Sequence, residues 1–363
     1  PLIYYARESW FIKMTAVRED LIRNNNTINW IPESIGKGRF GDWIENVQDW
    51  GISRNRYWGT PLNIWQCECG HMHSIGSIEE LKSMSDNCPD DIELHRPYID
   101  AVTIKCPECG KEMHRVPEVI DCWFDSGSMP FAQHHYPFEN KELLDSHEVY
   151  PADFIAEGVD QTRGWFFTLH AIATMVFGSV AYKAVISNGL VLDKNGNKMS
   201  KRLGNAVDPF STIEKYGSDP LRWYMITNSS PWDNLKFDID GIEEVRRKFF
   251  GTLYNTYSFF ALYANVDGFT FSEPEIPVAE RPEIDRWIIS LLNTLVKEVD
   301  EHYNNFEPTR AGRAISDFVN DNLSNWYVRL NRKRFWGGTM DADKLSAYQT
   351  LSTCLETVAA LMS

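Results

Sequence analysis

Apolar and polar residues follow two different rhythms along this chain, and the change falls near Asn205. Before it, apolar runs of strand length alternate with turns and single helical stretches. The run at 153–156 predicts a short buried strand, Asp160 opens a helix, and the run at 183–187 predicts a neighbouring strand. The apolar residues of that helix are Trp165, Leu169, Ile172 and Val176. This pattern predicts an α/β domain that binds ligands beyond the carboxyl ends of its strands.

Beyond Asn205 the apolar period is helical. Asp219 followed by Pro220 predicts a helix over 221–227, and a last amphipathic stretch begins near Leu345. Between them lie three longer stretches, whose apolar positions are Val245, Phe249, Leu253, Tyr257 and Phe260; Ile284, Trp287, Ile288, Leu291, Leu295 and Val299; and Ala311, Ile315, Phe318, Val319, Leu323, Trp326 and Leu330. We predict a helix bundle, joined to the α/β part by residues 211–240.

The segment 115–127 reads as a strand that enters a turn. Its two acids, Asp121 and Asp125, receive no chemical role from their spacing, and we expect them to be structural. Near the start of the chain, the spacing of Phe40, Trp43, Ile44 and Val47 predicts a further helix.

Composition narrows the class of protein. Of the 363 residues 43% are apolar, which is typical of an ordered globular chain, and no apolar run is long enough to span a membrane. The first residues show no signal-peptide pattern, so we expect a soluble cytoplasmic protein. A net charge of -15 argues against a general nucleic-acid binder, and any contact with a nucleic acid must be local. The chain has no G-x-x-x-x-G-K-[ST] motif, which excludes a P-loop nucleotidase.

Four of the seven cysteines form two close pairs, Cys67 with Cys69 and Cys106 with Cys109. Each pair is followed by glycine, as in knuckles that give two thiolates to a tetrahedral zinc. We predict a structural zinc, because four cysteines leave no open position for catalysis; reduced buried thiols are the alternative. The first pair is tightly spaced, so His71 or His73 could replace one of its cysteines. Cys88, Cys122 and Cys354 are expected to be ordinary packed thiols.

Residues 198–202, Lys-Met-Ser-Lys-Arg, place three cations on a loop flanked by glycines. Ammonium groups on flexible stems suit a polyphosphate, because they can follow negative charge as it develops on the leaving group. A solvated basic turn is the alternative reading. We call residues 198–202 the signature loop.

With Asn-Gly-Leu-Val at 188–191 before it and Leu-Gly-Asn at 203–205 after it, the signature loop resembles the KMSKS loop of class I aminoacyl-tRNA synthetases. Segments 28–33, 50–61 and 115–127 resemble the catalytic domain of the isoleucyl, valyl and leucyl group. Residues 157–166, Glu-Gly-Val-Asp-Gln-Thr-Arg-Gly-Trp-Phe, resemble isoleucyl-tRNA synthetases and differ from what we expect of the other two.

The resemblance implies a function and a set of site residues. Isoleucine and ATP, with Mg²⁺, would form isoleucyl-adenylate, and the isoleucyl group would pass to its tRNA. Lys198 and Lys201 would stabilise the triphosphate. The ATP and adenylate contacts would be Glu157, Gly158, Asp160, Gln161, Asn188, Gly189, Met199, Ser200, Lys201 and Arg202. Trp58 and Trp165 would line the isoleucine pocket. Arg329, Arg332, Lys333 and Arg334, the most basic run in the chain, would contact tRNA phosphates.

The resemblance also implies an organisation. We expect the second half of a Rossmann-like α/β catalytic domain with a zinc-knuckle insertion, followed by an all-α bundle. The expected segments are 1–60 after an absent editing insertion, 61–118 with the knuckles, 119–205 ending at the signature loop, 206–241 as a connection and 242–363 as an anticodon-binding bundle. No HIGH-type histidine motif occurs, so we expect a fragment that is inactive alone. We also expect it to be a monomer.

The signature loop departs from the family pattern at one residue, and two alternative functions stay open. Arg202 replaces the commoner serine at the fifth position of the signature loop, and whether it touches ATP stays open. A valyl-tRNA synthetase fragment is the nearer alternative, disfavoured by the segment 157–166. A non-catalytic tRNA-binding or protein-binding module on the same scaffold is the more distant one, disfavoured by the two intact lysines of the signature loop.

Overall fold

A computed structural model describes residues 8–55 and 59–363, except for the side chain of Lys201. The chain divides into two compact units, 1–187 and 188–363, each described here by itself. No helix in the described part of the chain is long and apolar enough to cross a membrane.

The first unit carries eleven strands and seven helices among its described residues. The strands are β1 (Phe11–Ile12), β2 (Asn29–Ile31), β3 (Trp50–Gly51), β4 (Ser53–Arg54), β5 (Ile64–Gln66), β6 (Met72–Ser74), β7 (Ile104–Lys105), β8 (Glu112–Arg115), β9 (Val119–Ile120), β10 (Ala152–Gly158) and β11 (Tyr182–Asn188). The helices are α1 (Arg18–Asn25), α2 (Glu33–Lys37), α3 (Arg39–Glu45), α4 (Ile78–Met84), α5 (Cys122–Ala132), α6 (Lys141–Asp145) and α7 (Trp165–Phe177).

The central sheet of this unit has the strand order β10-β11-β2, with β11 parallel to β2. Helix α7 connects β10 to β11 and is buried from Phe166 to Thr174, which explains why its sequence is apolar nearly all round. Its neighbours in the core include Trp30, Phe40, Tyr182 and Val185. The predicted strand-helix-strand unit is therefore confirmed. The prediction that the strand at 153–156 is buried is wrong, because β10 lies at the edge of the three-stranded sheet and none of its residues is buried.

A four-stranded sheet, β6-β5-β8-β7, forms a separate antiparallel module around the cysteine pairs. It has its own small core of Trp65, Ile75, Leu81, Ile99, Ile104 and Met113, in which Cys67 and Cys106 are also buried. A core of this size is small for independent stability, which is the usual setting for a structural metal.

The segment 115–127 differs from its prediction. Strand β9 is only two residues long, and the expected turn is helix α5. The Asp121 carboxylate accepts a hydrogen bond from the backbone N–H of Trp123 and caps the helix, so a residue read as part of a turn starts a helix instead. At Gly127, α5 crosses α7 so closely that a Cβ atom would lie 2.9 Å from the carbonyl oxygen of Thr168. Asp121 and Gly127 thus have structural roles.

The second unit is mainly helical. A two-stranded parallel pair, β12 (Val191–Leu192) and β13 (Leu235–Lys236), is followed along the chain by the bundle. The helices are α8 (Pro209–Tyr216), α9 (Ser218–Asn228), α10 (Ile239–Val245), α11 (Gly251–Asp267), α12 (Glu283–Asn304), α13 (Pro308–Asp317), α14 (Arg329–Phe335) and α15 (Ala342–Met362). Two π-helical stretches, Arg246–Phe250 and Phe318–Val328, join α10 to α11 and α13 to α14. The bundle core includes Ile288, Leu292, Ile315, Leu323, Tyr348 and Leu351. The predicted helix bundle is confirmed.

Candidate active site

Residues 157–161 lie at the carboxyl end of β10, where a ligand of an open α/β sheet is expected. The Glu157 and Asp160 side chains are exposed. Among the described residues Glu157 has no hydrogen-bond partner, so its carboxylate is available to a ligand. Gly158 lies so close to Asp160 that a Cβ atom would be 2.6 Å from its Oδ1. A side chain at residue 158 would therefore displace the Asp160 carboxylate.

The helix that follows does not begin at Asp160. Residues Val159–Arg163 form a 3₁₀ turn, and α7 begins at Trp165. The Gln161 amide oxygen accepts a hydrogen bond from the backbone N–H of Trp165 at 2.9 Å, so Gln161 and not Asp160 satisfies a backbone donor at the start of the helix. The turn is braced further by buried Thr162, whose hydroxyl accepts from Arg39 Nε and donates to the Val159 carbonyl.

Trp165 is the one predicted pocket residue within the described part of the chain, since Trp58 lies outside it. The Trp165 indole N–H donates to the carbonyl oxygen of Ser126 at 3.1 Å, which fixes the ring against α5. Trp123, on the same helix, is 40% exposed, and its ring lies 3.1 Å from where a Cβ atom of Gly164 would be. An aromatic pair, Trp123 and Trp165, therefore flanks the start of α7.

The signature loop lies in the second unit, after β12. Met199 is its anchored residue and packs against a small core of Tyr216, Leu221, Tyr224, Leu235, Phe237 and Ile242. The Lys198 and Arg202 side chains are exposed and form no ion pair with the residues that the structure describes. The Lys201 side chain lies outside the described residues, although its backbone starts a 3₁₀ turn. Burial thus fixes Met199 in the middle of the loop and leaves the Lys198 and Arg202 side chains to solvent.

Asn188 and Gly189 precede the loop at the end of β11. The Gly189 N–H donates to the carbonyl oxygen of Pro231 at 2.9 Å. A Cβ atom at residue 189 would lie 2.4 Å from the carbonyl oxygen of Asp233, so only glycine allows the two backbones to approach this closely. The Asn188 side chain is half-buried and has no partner among the described residues.

The four paired cysteines meet in one cluster, with all four sulfur atoms within 4.8 Å of one another. The Cys67 and Cys109 sulfurs are 3.4 Å apart, and those of Cys69 and Cys106 are 3.8 Å apart. Zinc bonded to sulfur at about 2.3 Å in a tetrahedron requires edges of about 3.8 Å. The donor set and its spacing therefore fit zinc, and the site would hold it without an open position.

Backbone geometry shapes both knuckles in the same way. The N–H of Cys67 donates to the His71 carbonyl and that of Cys106 to the Lys111 carbonyl, each at 2.8 Å. Gly70 and Gly110, with φ of +92° and +72°, make the reversal that brings each pair of thiols together.

The cluster needs a cation to hold several thiolates. Burial opposes ionisation of Cys106, but the backbone N–H groups of Cys109 and Glu108 lower its pKa to about 6. At Cys67 a backbone hydrogen bond from Cys69 favours the thiolate, but burial and the neighbouring sulfurs raise the pKa to about 12. One thiolate thus forms readily, but its negative charge disfavours ionisation of the next thiol. A bound divalent metal would compensate this repulsion.

Neither histidine that the sequence left open joins the cluster. The His71 Nδ1 atom lies 3.2 Å from the Glu108 carboxylate, and the His73 Nε2 atom lies 2.9 Å from that of Glu80. Each histidine instead faces an acid, so the group of possible ligands in the structure consists of the four cysteines.

The basic run on α14 separates into two groups. Arg329, Arg332 and Lys333 are exposed, and Trp326 and Trp336 beside them are 59% and 52% exposed. Arg334 instead turns inward: its guanidinium donates to the fully buried carboxylate of Asp285 at 2.6 and 2.9 Å and also pairs with Asp343. Arg334 is committed within the bundle, so we remove it from the predicted tRNA surface.

Sequence reasoning missed several residues that shape these sites. It overlooked Trp123 beside Trp165 and the capping role of Gln161. It also overlooked Asp193 and Asn205, which bond to each other at 3.0 Å across the base of the signature loop. The Asp-x-x-x-x-Lys spacing ahead of the loop was the only local signal for Asp193.

Comparisons with known proteins bear on both units. Residues 2–238 match the family described as tRNA synthetases class I (I, L, M and V), and residues 285–363 match the anticodon-binding domain of tRNA ligase. Isoleucine-tRNA ligase of Bacteroides fragilis is 70% identical over 389 aligned positions, covering 100% of this chain and 34% of that protein. The same enzyme of Porphyromonas gingivalis is 64% identical, with the same coverage, and that of Clostridium novyi is 57% identical over 99% of this chain. The chain spans about a third of the length of these relatives.

Solved structures share the fold. A methionyl-tRNA synthetase of Mycobacterium tuberculosis, in complex with methionyl-adenylate, aligns with a TM-score of 0.68 over 98% of this chain and 60% of its own, at 18% identity. A leucyl-tRNA synthetase of Agrobacterium radiobacter, in a ternary complex with tRNA, aligns with a TM-score of 0.62 over 87% of this chain and 40% of its own, at 22% identity.

Proposed function

Because this chain belongs to the class I tRNA synthetases of the I, L, M and V family, we propose that it works within a longer isoleucine-tRNA ligase. That enzyme activates isoleucine with ATP and Mg²⁺ to isoleucyl-adenylate and transfers the isoleucyl group to its tRNA in the cytoplasm. The observation that carries the proposal is the identity of 64 to 70% with isoleucine-tRNA ligases over the whole chain. The presence of both an adenylate segment and a signature loop supports it.

In the first unit, we assign adenylate recognition to the turn after β10. The free carboxylate of Glu157 is suited to the charged amino group or a ribose hydroxyl of the adenylate. In the same turn, Gln161 Nε2 donates to the Asp160 carboxylate at 3.4 Å, while the Gln161 oxygen accepts from the first residue of α7. Asp160 would offer a further acceptor, and Gln161 Nε2 a further donor, to the adenylate. Trp165, with Trp123 beside it, would provide the apolar walls that an isoleucine side chain requires.

In the second unit, we assign the triphosphate to the signature loop. Lys198 and Lys201 would stabilise the charge that develops on the pyrophosphate as the adenylate forms. Met199 holds the loop on its core, so the backbone that carries the two lysines is fixed on one side. Asn188 and Gly189 would determine the path of the backbone that leads into this loop. Exposed Arg202 adds a further cation to the loop.

The exposed side of α14 is suited to tRNA. Arg329, Arg332 and Lys333 can neutralise phosphates, and Trp326 and Trp336 can stack on unpaired bases. Such a local basic and aromatic surface explains how a chain with a net charge of -15 would bind an anionic partner.

Replacement of Arg329 or Lys333 by alanine should weaken binding of isoleucine tRNA, measured by fluorescence anisotropy over a range of salt concentrations. Each lost phosphate contact should reduce the slope of log affinity against log salt by about one. The melting temperature should stay close to the original, since both side chains are exposed. Arg334→Ala should instead lower the melting temperature, because it leaves the Asp285 carboxylate buried without its cation. Unchanged tRNA affinity in Arg329→Ala and Lys333→Ala would place the tRNA surface elsewhere.

The function is tested by binding of non-hydrolysable isoleucyl-, valyl- and leucyl-adenylate analogues to the longer enzyme, measured by calorimetry. The isoleucyl analogue should bind more tightly than the valyl analogue, because one buried methylene contributes about 0.8 kcal/mol. Glu157→Ala should weaken all three, while Glu148→Ala, which removes another exposed carboxylate of the same unit, should weaken none. Preference for the valyl or leucyl analogue would overturn the assignment to isoleucine.

A further inference from the structure

The signature loop is closed at its base by two side chains that sequence reasoning did not single out. Asn205 donates from Nδ2 to the Asp193 carboxylate oxygen Oδ2 at 3.0 Å. These residues follow β12 and the signature loop respectively, so their hydrogen bond joins the two ends of the loop. We call this pair the Asp193–Asn205 clamp.

On the Asp193 side, the clamp holds a tight turn. The other carboxylate oxygen of Asp193, Oδ1, accepts hydrogen bonds from the backbone N–H groups of Asn195 at 2.9 Å and Asn197 at 2.8 Å. The Asn205 side chain and these backbone donors lower the pKa of Asp193 to about 2. Asp193 is therefore charged at neutral pH, and the turn delivers Lys198 to a bridge position opposite Leu192.

On the Asn205 side, the clamp holds the cationic segment itself. The Asn205 Oδ1 atom accepts the backbone N–H of Ser200 at 2.9 Å, and Nδ2 also approaches the Lys198 carbonyl oxygen at 3.3 Å. One amide side chain thus bonds to the backbone of two of the five loop residues and to the carboxylate that fixes the turn. With Met199 packed on the core below, the backbone of the loop is held from both sides.

We propose that Asp193 and Asn205 are positioning residues that preorganise the signature loop for the triphosphate of ATP. Lysine side chains are flexible, so the field that they present depends on the backbone that carries them. Donors held in place before reaction stabilise developing charge without a cost of reorganisation, which raises kcat more than it changes substrate binding. This inference rests on the proposed function, because it assigns the clamp to adenylate formation.

A swap of the two side chains separates this role from general stability. Asp193→Asn loses the charge of the carboxylate, Asn205→Asp places two carboxylates side by side, and Asn205→Ala removes the clamp. The double variant D193N/N205D restores the bond between the two positions: the amide introduced at position 193 can donate to the carboxylate introduced at position 205, which still accepts from Ser200. It does not restore the longer contacts of 3.3 Å to the Lys198 carbonyl and from the Asn197 amide. Asn195→Ala is the matched control, since its exposed side chain has no partner among the described residues.

The first readout is limited trypsin digestion of the chain as it stands, with cleavage at Lys198 and Arg202 followed by mass spectrometry. Asn205→Ala and Asn205→Asp should be cut about tenfold faster, since each loses hydrogen bonds of about 1 kcal/mol. The double swap should return toward the original rate, and Asn195→Ala should not differ from it. Unchanged cleavage in both Asn205 variants would overturn the proposal, because the clamp would not hold the loop.

The second readout is isoleucine-dependent ATP-pyrophosphate exchange by the longer enzyme. The kcat of Asn205→Asp should fall about tenfold with the isoleucine KM nearly unchanged, and the double swap should recover most of the loss. Faster cleavage without a fall in kcat would make the clamp merely structural and overturn its positioning role. If the original enzyme shows no isoleucine-dependent exchange, the proposed function is wrong, and the role of the clamp in isoleucine activation is wrong with it. A fall in kcat that is confined to the variants leaves the proposed function standing.

Discussion

Replacement of Cys69 or Cys109 by serine should abolish binding of the zinc that we propose for this cluster and unfold the knuckle module. Both cysteines are exposed, so the change costs little burial, but each removes one of four thiolates from the cluster. Structural zinc contributes about 10 to 16 kcal/mol to the folding of small zinc peptides at neutral pH, and the module core is small. Elemental analysis should show one zinc per original chain and far less in the variants. Hydrogen exchange at the amides of β8 should accelerate by several orders of magnitude.

Cys122→Ser is the matched control, because it makes the same change at an exposed cysteine outside the cluster. It should keep its zinc and the slow exchange of β8. Removal of the metal from the original chain by a strong chelator should reproduce the behaviour of Cys69→Ser, and added zinc should reverse it. A chain purified with no metal, whose β8 amides exchange slowly all the same, would show that the four cysteines are reduced packed thiols.

This cluster illustrates what local sequence can predict. The close pairs and the following glycines determine the geometry of each knuckle, so the two pairs could be recognised and combined into one site. The choice between cysteine and histidine ligands could not be made that way, because it depends on Glu108 and Glu80, which hold His71 and His73. The same reasoning correctly predicted the α/β unit and the bundle, since their apolar periods are long and regular.

Contacts between distant residues set the limit of the sequence reasoning. Arg334 reads as part of a basic surface, but Asp285, forty-nine positions earlier, draws it into the bundle. The segment 115–127 reads as a strand that enters a turn, yet the cap at Asp121 and the close approach of Gly127 to Thr168 belong to a helix packed on α7. In both cases a contact with a distant residue decides what the local pattern leaves open.

Lys201→Ala in the longer enzyme should slow adenylate formation by about 10²-fold to 10³-fold, as expected for loss of one donor to a developing oxyanion. Isoleucine binding should change little, because the lysine acts on the leaving pyrophosphate and not on the amino acid. Single-turnover adenylate formation gives the first quantity, and equilibrium dialysis with isoleucine gives the second. Lys198→Ala should likewise slow adenylate formation, by a factor of its own, and leave isoleucine binding nearly unchanged. The Lys198 side chain is exposed and forms no ion pair with any described residue.

Lys194→Ala is the control for this prediction. Lys194 is exposed in the turn just before the signature loop and carries the same charge, but it lies outside the segment that Asn205 and Met199 hold. If charge near the site were sufficient, Lys194→Ala would slow the reaction as much as Lys201→Ala, and the fixed backbone of the loop would be irrelevant. If isoleucine binding fell as far as the rate in Lys201→Ala, the lysine would contribute to the ground-state complex, and its assignment to the triphosphate would be wrong. A rate effect confined to Lys198 and Lys201 would instead tie catalysis to the one cationic stretch whose backbone is held in place.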